Sequence, residues 1–222
     1  VTRIDLRPLA ELAVAAADAA GTFLLQGWSD PRREVRTKST GTDMVSEMDH
    51  GAERILVDTI LTARPDDGIL GEEGADRPSG TGVRWVVDPL DGTTNYLYGL
   101  ASWCVSVGVE LDGVPVVGVV SAPVLGERYV GIAGAGASVN GRRLAVSAED
   151  QLGRALVATG FGYAPARRAY QGAVVAALLP RIRDVRRSGS AALDLCSVAA
   201  GRVDAYWEVG VQPWDVCAGT VI

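Results

Sequence analysis

The sequence predicts a layered α/β fold, and three observations predict it. Apolar residues make up 48% of the 222 residues, enough for a sizeable core. The first stretch carries apolar residues at helical spacing. A middle stretch dense in valine and punctuated by glycine reads as strands, and helix and strand alternate after it. No internal repeat, low-complexity segment or linker breaks the chain, so residues 1–222 read as a single unit.

The elements follow in order. Leu6, Leu9, Ala13, Ala16, Ala17, Ala20 and Leu24 predict a helix from Leu6 to Gln26, ended by Gly27 and Pro31. Val35 to Lys38 reads as a short strand and Ser39 to Asp43 as a turn. Ser46, with Asp49 three residues on, has the form of a helix cap, and Ala52, Ile55, Leu56, Thr59 and Ile60 give that helix its buried face. Gly68 to Gly71 is a strand running into Glu72-Glu73, and Asp76 to Gly82 is a polar loop. Trp85-Val86-Val87 is a strand running into Asp88-Pro89-Leu90-Asp91. Trp103 to Ala133 reads as antiparallel hairpins, with another at Asn140-Gly141. Beyond it come a strand at Ala155–Thr159, a helix at Arg167–Leu179, a short strand at Val185 and a helix at Ser190–Ala200. A strand at Ala205–Val209 and a helix from Pro213 to Ile222 close the sequence.

Composition excludes some functions. A formal charge of −6 argues against a general nucleic-acid partner, which takes a basic face. The cluster Arg181, Arg183, Arg186 and Arg187 reads as a solvated rim. Cys104, Cys196 and Cys217 are scattered, with no CxxC pair, and fit reduced core thiols in a cytoplasmic protein. The one histidine, His50, has no cysteine near it in sequence, which argues against a Cys–His nucleophile. No run of about 18 apolar residues indicates a membrane span, and the N-terminus lacks the form of a signal peptide.

The chemistry centres on Asp88-Pro89-Leu90-Asp91-Gly92-Thr93-Thr94-Asn95. Proline stiffens the turn between two carboxylates, so both can face one point. Like charges held together are costly unless compensated, and a divalent cation compensates well. Hard oxygen ligands suit magnesium. Gly92 lets the backbone turn, and Thr93-Thr94 can open a helix whose N-terminus receives phosphate. Acids for metal beside amides for phosphate are the equipment of phosphoryl transfer. One Asp-x-x-Asp alone would read as a capped strand-to-helix turn. That reading must also account for Glu72-Glu73 at the end of another strand and Asp215 at the start of another helix.

At these residues the sequence resembles the inositol monophosphatase family, within the lithium-sensitive, magnesium-dependent phosphatases. The resemblance rests on Gly71-Glu72-Glu73, Asp88 to Asn95, Gly189-Ser190-Ala191-Ala192, and Pro213-Trp214-Asp215 with Ala218-Gly219. It implies an αβαβα sandwich with mixed and antiparallel sheets, and a homodimer. It implies hydrolysis of a small phosphate monoester, most simply inositol monophosphate, by metal-activated water with two or three Mg2+ ions. Glu72, Asp88 and the Leu90 carbonyl would hold the first ion and Asp88, Asp91 and Asp215 the second, Glu72 sharing a third. Asp49 and Thr93, with Glu72, would serve catalysis by activating water. Gly92 and Thr93 amides would hold phosphate, beside Asp91 and Asp215. Gly189, Ser190 and Ala191 would line the substrate pocket, and Glu208 would accept a substrate hydroxyl. Asp43 to Asp49 resembles the family's segment between the first strand and the second helix, and Lys38 matches a basic position near the family's mobile metal loop. The family continues past the helix that bears Asp215, so Ile222 is expected to fall short of the family's C-terminal strands and helix.

Other readings follow from the same residues. Histidinol phosphate, fructose 1,6-bisphosphate and a nucleotide 3′-phosphate are alternative substrates, and Thr94-Asn95-Tyr96 favours the inositol group over the nucleotide one. A regulatory protein bound to the transcription machinery is an alternative of another class, for which the arginine cluster would serve. A metal-binding protein without catalysis would have to lack the water activators, and Asp49 and Thr93 are present.

Overall fold

The computed structural model describes residues 5–28, 35–37 and 44–222. Lys38, the Ser39–Asp43 turn and the side chain of Ser46 lie outside the described residues. In chain order the elements are α1 (Arg7–Trp28), β1 (Val35–Thr37), β2 (Met44–Ser46), α2 (Glu47–Ala63), β3 (Gly68–Gly71), β4 (Asp76–Arg77), β5 (Val83–Asp91) and α3 (Thr93–Leu97). They continue with β6 (Cys104–Leu111), β7 (Val114–Ala122), β8 (Glu127–Ile132), β9 (Gly136–Val139), β10 (Arg142–Arg143) and β11 (Leu156–Thr159). The last are α4 (Pro165–Leu178), β12 (Asp184–Arg186), α5 (Ala191–Ala199), β13 (Ala205–Trp207) and α6 (Pro213–Val221).

An eight-stranded sheet runs in the order β10-β9-β8-β7-β6-β5-β3-β4. It is antiparallel except where β3 lies parallel to β5. A second sheet, β12-β11-β13, is wholly parallel, and β1 pairs antiparallel with β2. On one side of the large sheet, α1 packs against β6 and β7 and α2 against β5. On the other side lie α6, over β5, β6 and β7, and α5. α5 also meets β11 and β13 of the small sheet. α4 attaches through its one buried residue, Gln171, which donates to Gly160 O and accepts from Gly162 N–H.

The apolar periodicity explains the core. α1 turns Leu9, Ala13, Ala16, Ala17, Ala20 and Leu24 inward, all buried. By length and composition this helix could cross a membrane, but its apolar stripe is taken up by packing on α2 and the sheet. The helix continues through Gly27 to Trp28 rather than stopping at Gly27, and that glycine leaves room for the Met48 side chain and the Tyr96 hydroxyl. Trp85, Tyr96 and Trp103 fill the centre at 0% exposure. Each such buried large side chain contributes roughly 1.5–3 kcal/mol over leaving it in water. The Trp85 indole N–H donates to buried Asp67 (2.9 Å), and the Tyr96 hydroxyl donates to Leu24 O (2.9 Å).

One device sets α6. Gly108, Gly118 and Gly131 lie side by side across β6, β7 and β8. A methyl group on Gly118 would overlap the backbone of Ala218, and one on Gly108 would overlap Cys217. The row of glycines therefore lets the backbone of α6 lie directly on the sheet. Its first turn, with Asp215, comes to the end of β5.

Candidate active site

Parallel pairing places the first two acids together. Gly71 of β3 is in register with Val87 of β5, so Glu72 and Asp88 leave adjacent strands side by side. The β5–β6 register shifts between Asp88 and Asp91. Proline cannot donate to the ladder, so the break at Pro89 costs no main-chain bond there. Asp88 Oδ1 closes the turn by accepting Leu90 N–H at 3.0 Å. Asp91 then faces the start of α5: its Oδ2 accepts the Ser190 hydroxyl at 2.7 Å and Ala192 N–H at 2.7 Å. Asp215, in the first turn of α6, accepts Gln212 N–H at 2.6 Å in a reciprocal cap.

Glu72, Asp88, Asp91 and Asp215 all line one cavity of about 310 Å³. Burial, and then the charges of Glu72, Asp91 and Asp215, push Asp88 well above the usual carboxylate range. Burial pushes Asp91 up to about 7, against the bonds from Ser190 and Ala192. Burial pushes Asp215 up to about 7 as well, against the Gln212 bond, and the charges of Asp91 and Glu72 add to it. Every donor is a hard oxygen and the charges repel one another, so the set fits a hard divalent cation, which would relieve that repulsion. Among the described residues no three His, Cys, Asp or Glu side chains are closed around one point. The acids form an open wall, not a finished cage.

The remaining sequence-predicted residues fall as follows. Leu90, Gly92, Thr93, Gly189, Ser190, Ala191 and Glu208 line the same cavity. Gly92 caps α3 in the left-handed region (φ 97°), and α3 itself is a single short turn of five residues. The Thr93 hydroxyl donates to Leu90 O at 3.1 Å. Ser190 caps α5, and its hydroxyl is committed to Asp91 and to Leu193 N–H (3.2 Å). Glu208 follows β13, which ends at Trp207, two residues before the predicted Val209, and accepts the Tyr206 hydroxyl at 2.8 Å. Asp49 is buried in the first turn of α2 and is not part of the cavity wall.

Sequence reasoning missed Asp194, Arg167 and Arg187, which also line the cavity. Burial pushes Asp194 up to about 6. Arg187 belongs to the exposed cluster read as a solvated rim, yet it reaches the cavity. The Arg167 side chain lies across Gly162 and Gly210. Gly160-Phe161-Gly162 after a strand was a signal that a side chain or ligand approaches the backbone there.

The sequence profile of the inositol monophosphatase family matches residues 5–222. The chain belongs to that family. The inositol-1-monophosphatase of Mycobacterium leprae (strain TN) is 50% identical over 197 residues, which are 85% of this chain and 68% of the relative. The Nus factor SuhB of Pasteurella multocida (strain Pm70) is 40% identical over 98% of this chain and 82% of its own length. Among solved structures, the extragenic suppressor protein suhB from Bartonella henselae superposes with a TM-score of 0.90 at 36% identity. That match covers 96% of this chain and 83% of the other. An inositol monophosphatase family member is a phosphatase, a hydrolase of small phosphorylated substrates, and the family is in general metal-dependent.

Proposed function

We propose that this chain hydrolyses inositol monophosphate with Mg2+ at the cavity that Glu72, Asp88, Asp91 and Asp215 share. The observation that carries the reading is the convergence of four carboxylates from three separate elements on one cavity, with Glu208 on its wall. Glu72, Asp88 and the Leu90 carbonyl would hold one ion, Asp88, Asp91 and Asp215 a second, and Glu72 would share in a third. Bound there, the ions would neutralise phosphate charge and acidify water.

The chain's own groups supply the rest. Thr93 orients the attacking water from the cavity wall, a task that the family resemblance alone extends to Asp49, which lies outside that wall, and the Gly92 and Thr93 amides hold phosphate oxygens. The backbone at Gly189 and Ala191 lies against the substrate's ring. Glu208 accepts a hydroxyl from the alcohol portion, which lets it tell a polyol from a bare phosphate. The three cysteines are free and buried, which supports a reducing cytoplasmic setting. The homodimer and the lithium sensitivity rest on the resemblance alone. Phosphate release across a panel of inositol, histidinol, sugar and nucleotide phosphates tests the substrate. A preference for any of the others over inositol monophosphate contradicts the assignment.

One observation favours a second role, as a binding partner of the transcription machinery. Arg181, Arg183, Arg186 and Arg187 are all exposed, and Arg186 lies on the edge strand β12 of the small sheet. The net charge of −6 opposes it. A pull-down that retains no polymerase or RNA rules it out.

A further inference from the structure

The chemistry above makes no use of one buried carboxylate close to the site, Glu53. It lies on α2 one helical turn beyond Asp49 and is 7% exposed. Both its oxygens accept main-chain bonds: Oε2 from Glu73 N–H at 2.8 Å and Oε1 from Ala75 N–H at 3.0 Å. Gly71 packs on the same carboxylate so closely that a methyl group there would overlap it. Gly71 N–H also donates to Ala75 O at 2.7 Å, which closes residues 71–75 into a tight turn. Glu72 sits inside this turn, and its amide donates to Val87 O of β5 at 3.3 Å. The Glu73 carboxylate lies 3.3 Å from His50 Nδ1, also on α2.

We propose that Glu53 is a positioning residue: it clamps the 71–75 turn so that Glu72 faces the cavity shared with Asp88, Asp91 and Asp215. The inference rests on the metal reading of that cavity. Glu72 is brought toward three other carboxylates, and its charge bears on each of them. Like charges drive such groups apart. The turn's own Gly71–Ala75 bond and its hold on β5 tie only the main chain beside Glu72, and Glu53 adds a tether from α2 on the far side of it, against that force. Two main-chain bonds to one carboxylate, at 2.8 and 3.0 Å, oppose an outward swing of Glu72, one at each carboxylate oxygen. The geometry requires a carboxylate, because both oxygens must accept. A glutamine would set an NH2 group against one of the two N–H donors. Asp49 and Glu53 stand four residues apart on one helix face, so the clamp also fixes the spacing of Asp49 from Glu72.

The test is the isosteric Glu53→Gln in the full chain, with Glu53→Asp as a second variant that is too short to reach both amides. The first readout is Mg2+ binding by calorimetry without substrate. Outer partners of metal ligands typically change affinity by about 10–100-fold when removed, and that loss is expected for Glu53→Gln. The second readout is the activity curve: the half-activating Mg2+ concentration rises by the same factor, while KM for the monoester at saturating Mg2+ holds within about two-fold. Glu127→Gln is the control for general loosening, since it breaks the Arg202 pair on β8, three strands from β5 in the sheet order. Wild-type Mg2+ affinity in a folded Glu53→Gln protein overturns the proposal. So does an equal shift in Glu127→Gln. Wild-type protein that binds no Mg2+ overturns the metal reading itself, a result distinct from both.

Discussion

Replacing Ser190 by alanine is expected to loosen the protein and the proposed metal site together. The substitution removes the two bonds that matter most, one donated to Asp91 Oδ2 at 2.7 Å and one accepted from Leu193 N–H at 3.2 Å, along with a weaker contact to Cys104 Sγ at 3.5 Å. The first is a hydrogen bond to Asp91, worth about 1.5–3 kcal/mol above about pH 7, where that carboxyl is ionised. The second caps α5, and losing a serine cap to alanine costs about 1 kcal/mol. At 2% exposure bulk water does not take over either bond. Ala192 N–H stays on the same oxygen and keeps Asp91 from being wholly orphaned. The expected loss is therefore about 3 kcal/mol, or roughly 6–12 °C in Tm for a chain of this length. With one tether gone, Mg2+ affinity should fall about 10–100-fold. Ser190→Thr keeps the hydroxyl and should recover most of both. Melting in chelator and calorimetric Mg2+ binding measure the two effects separately. If Ser190→Ala melts within about 2 °C of wild type and binds Mg2+ equally well, the reasoning from these two bonds is wrong.

Gly118→Ala places a methyl group on the backbone of Ala218. Overpacking of this kind costs typically about 1–3 kcal/mol, and because α6 carries Asp215, activity should fall further than melting does. Glu208→Gln should lower kcat/KM for inositol monophosphate more than for an aryl phosphate that offers no hydroxyl; an unchanged ratio rejects that role. Burial raises the Asp67 carboxyl, but bonds from Arg64, Thr81 and Trp85 outweigh it and hold the group below its ordinary 3.8. Its contribution to stability is then fully present above pH 3.8 and is lost as pH falls through the lower folded value. Asp67→Asn should be less stable than wild type at pH 6, by a gap that narrows as pH falls below 3.8; denaturant midpoints at several pH values measure it.

Local signals carried most of the elements and the cavity-facing acids. Helical spacing gave α1 and α2, and Asp88 to Asn95 announced its turn because proline, glycine and paired acids act on neighbouring residues. What stayed hidden depends on contacts far apart in sequence. Glu53 reads as an ordinary helix glutamate until the 71–75 turn folds onto it. Ser190 lines the cavity, and nothing local shows that its hydroxyl turns to Asp91, 99 positions away. Arg187 shares its cluster with three arginines outside the cavity wall, and only the fold separates it from them. The all-parallel pairing of β11 with β12 and β13 was equally out of reach, since short strands carry no mark of their partners.

Phosphate release from inositol monophosphate by chelator-treated protein, as Mg2+ is added back, tests the central claim most directly, with Asp91→Asn run beside wild type. The account predicts no release without metal, recovery as Mg2+ is restored, and loss of turnover by about 100-fold or more in Asp91→Asn. That variant should melt in chelator no lower than wild type, because it removes one of four crowded charges. Full activity in metal-free wild type, or wild-type turnover in Asp91→Asn, would contradict it.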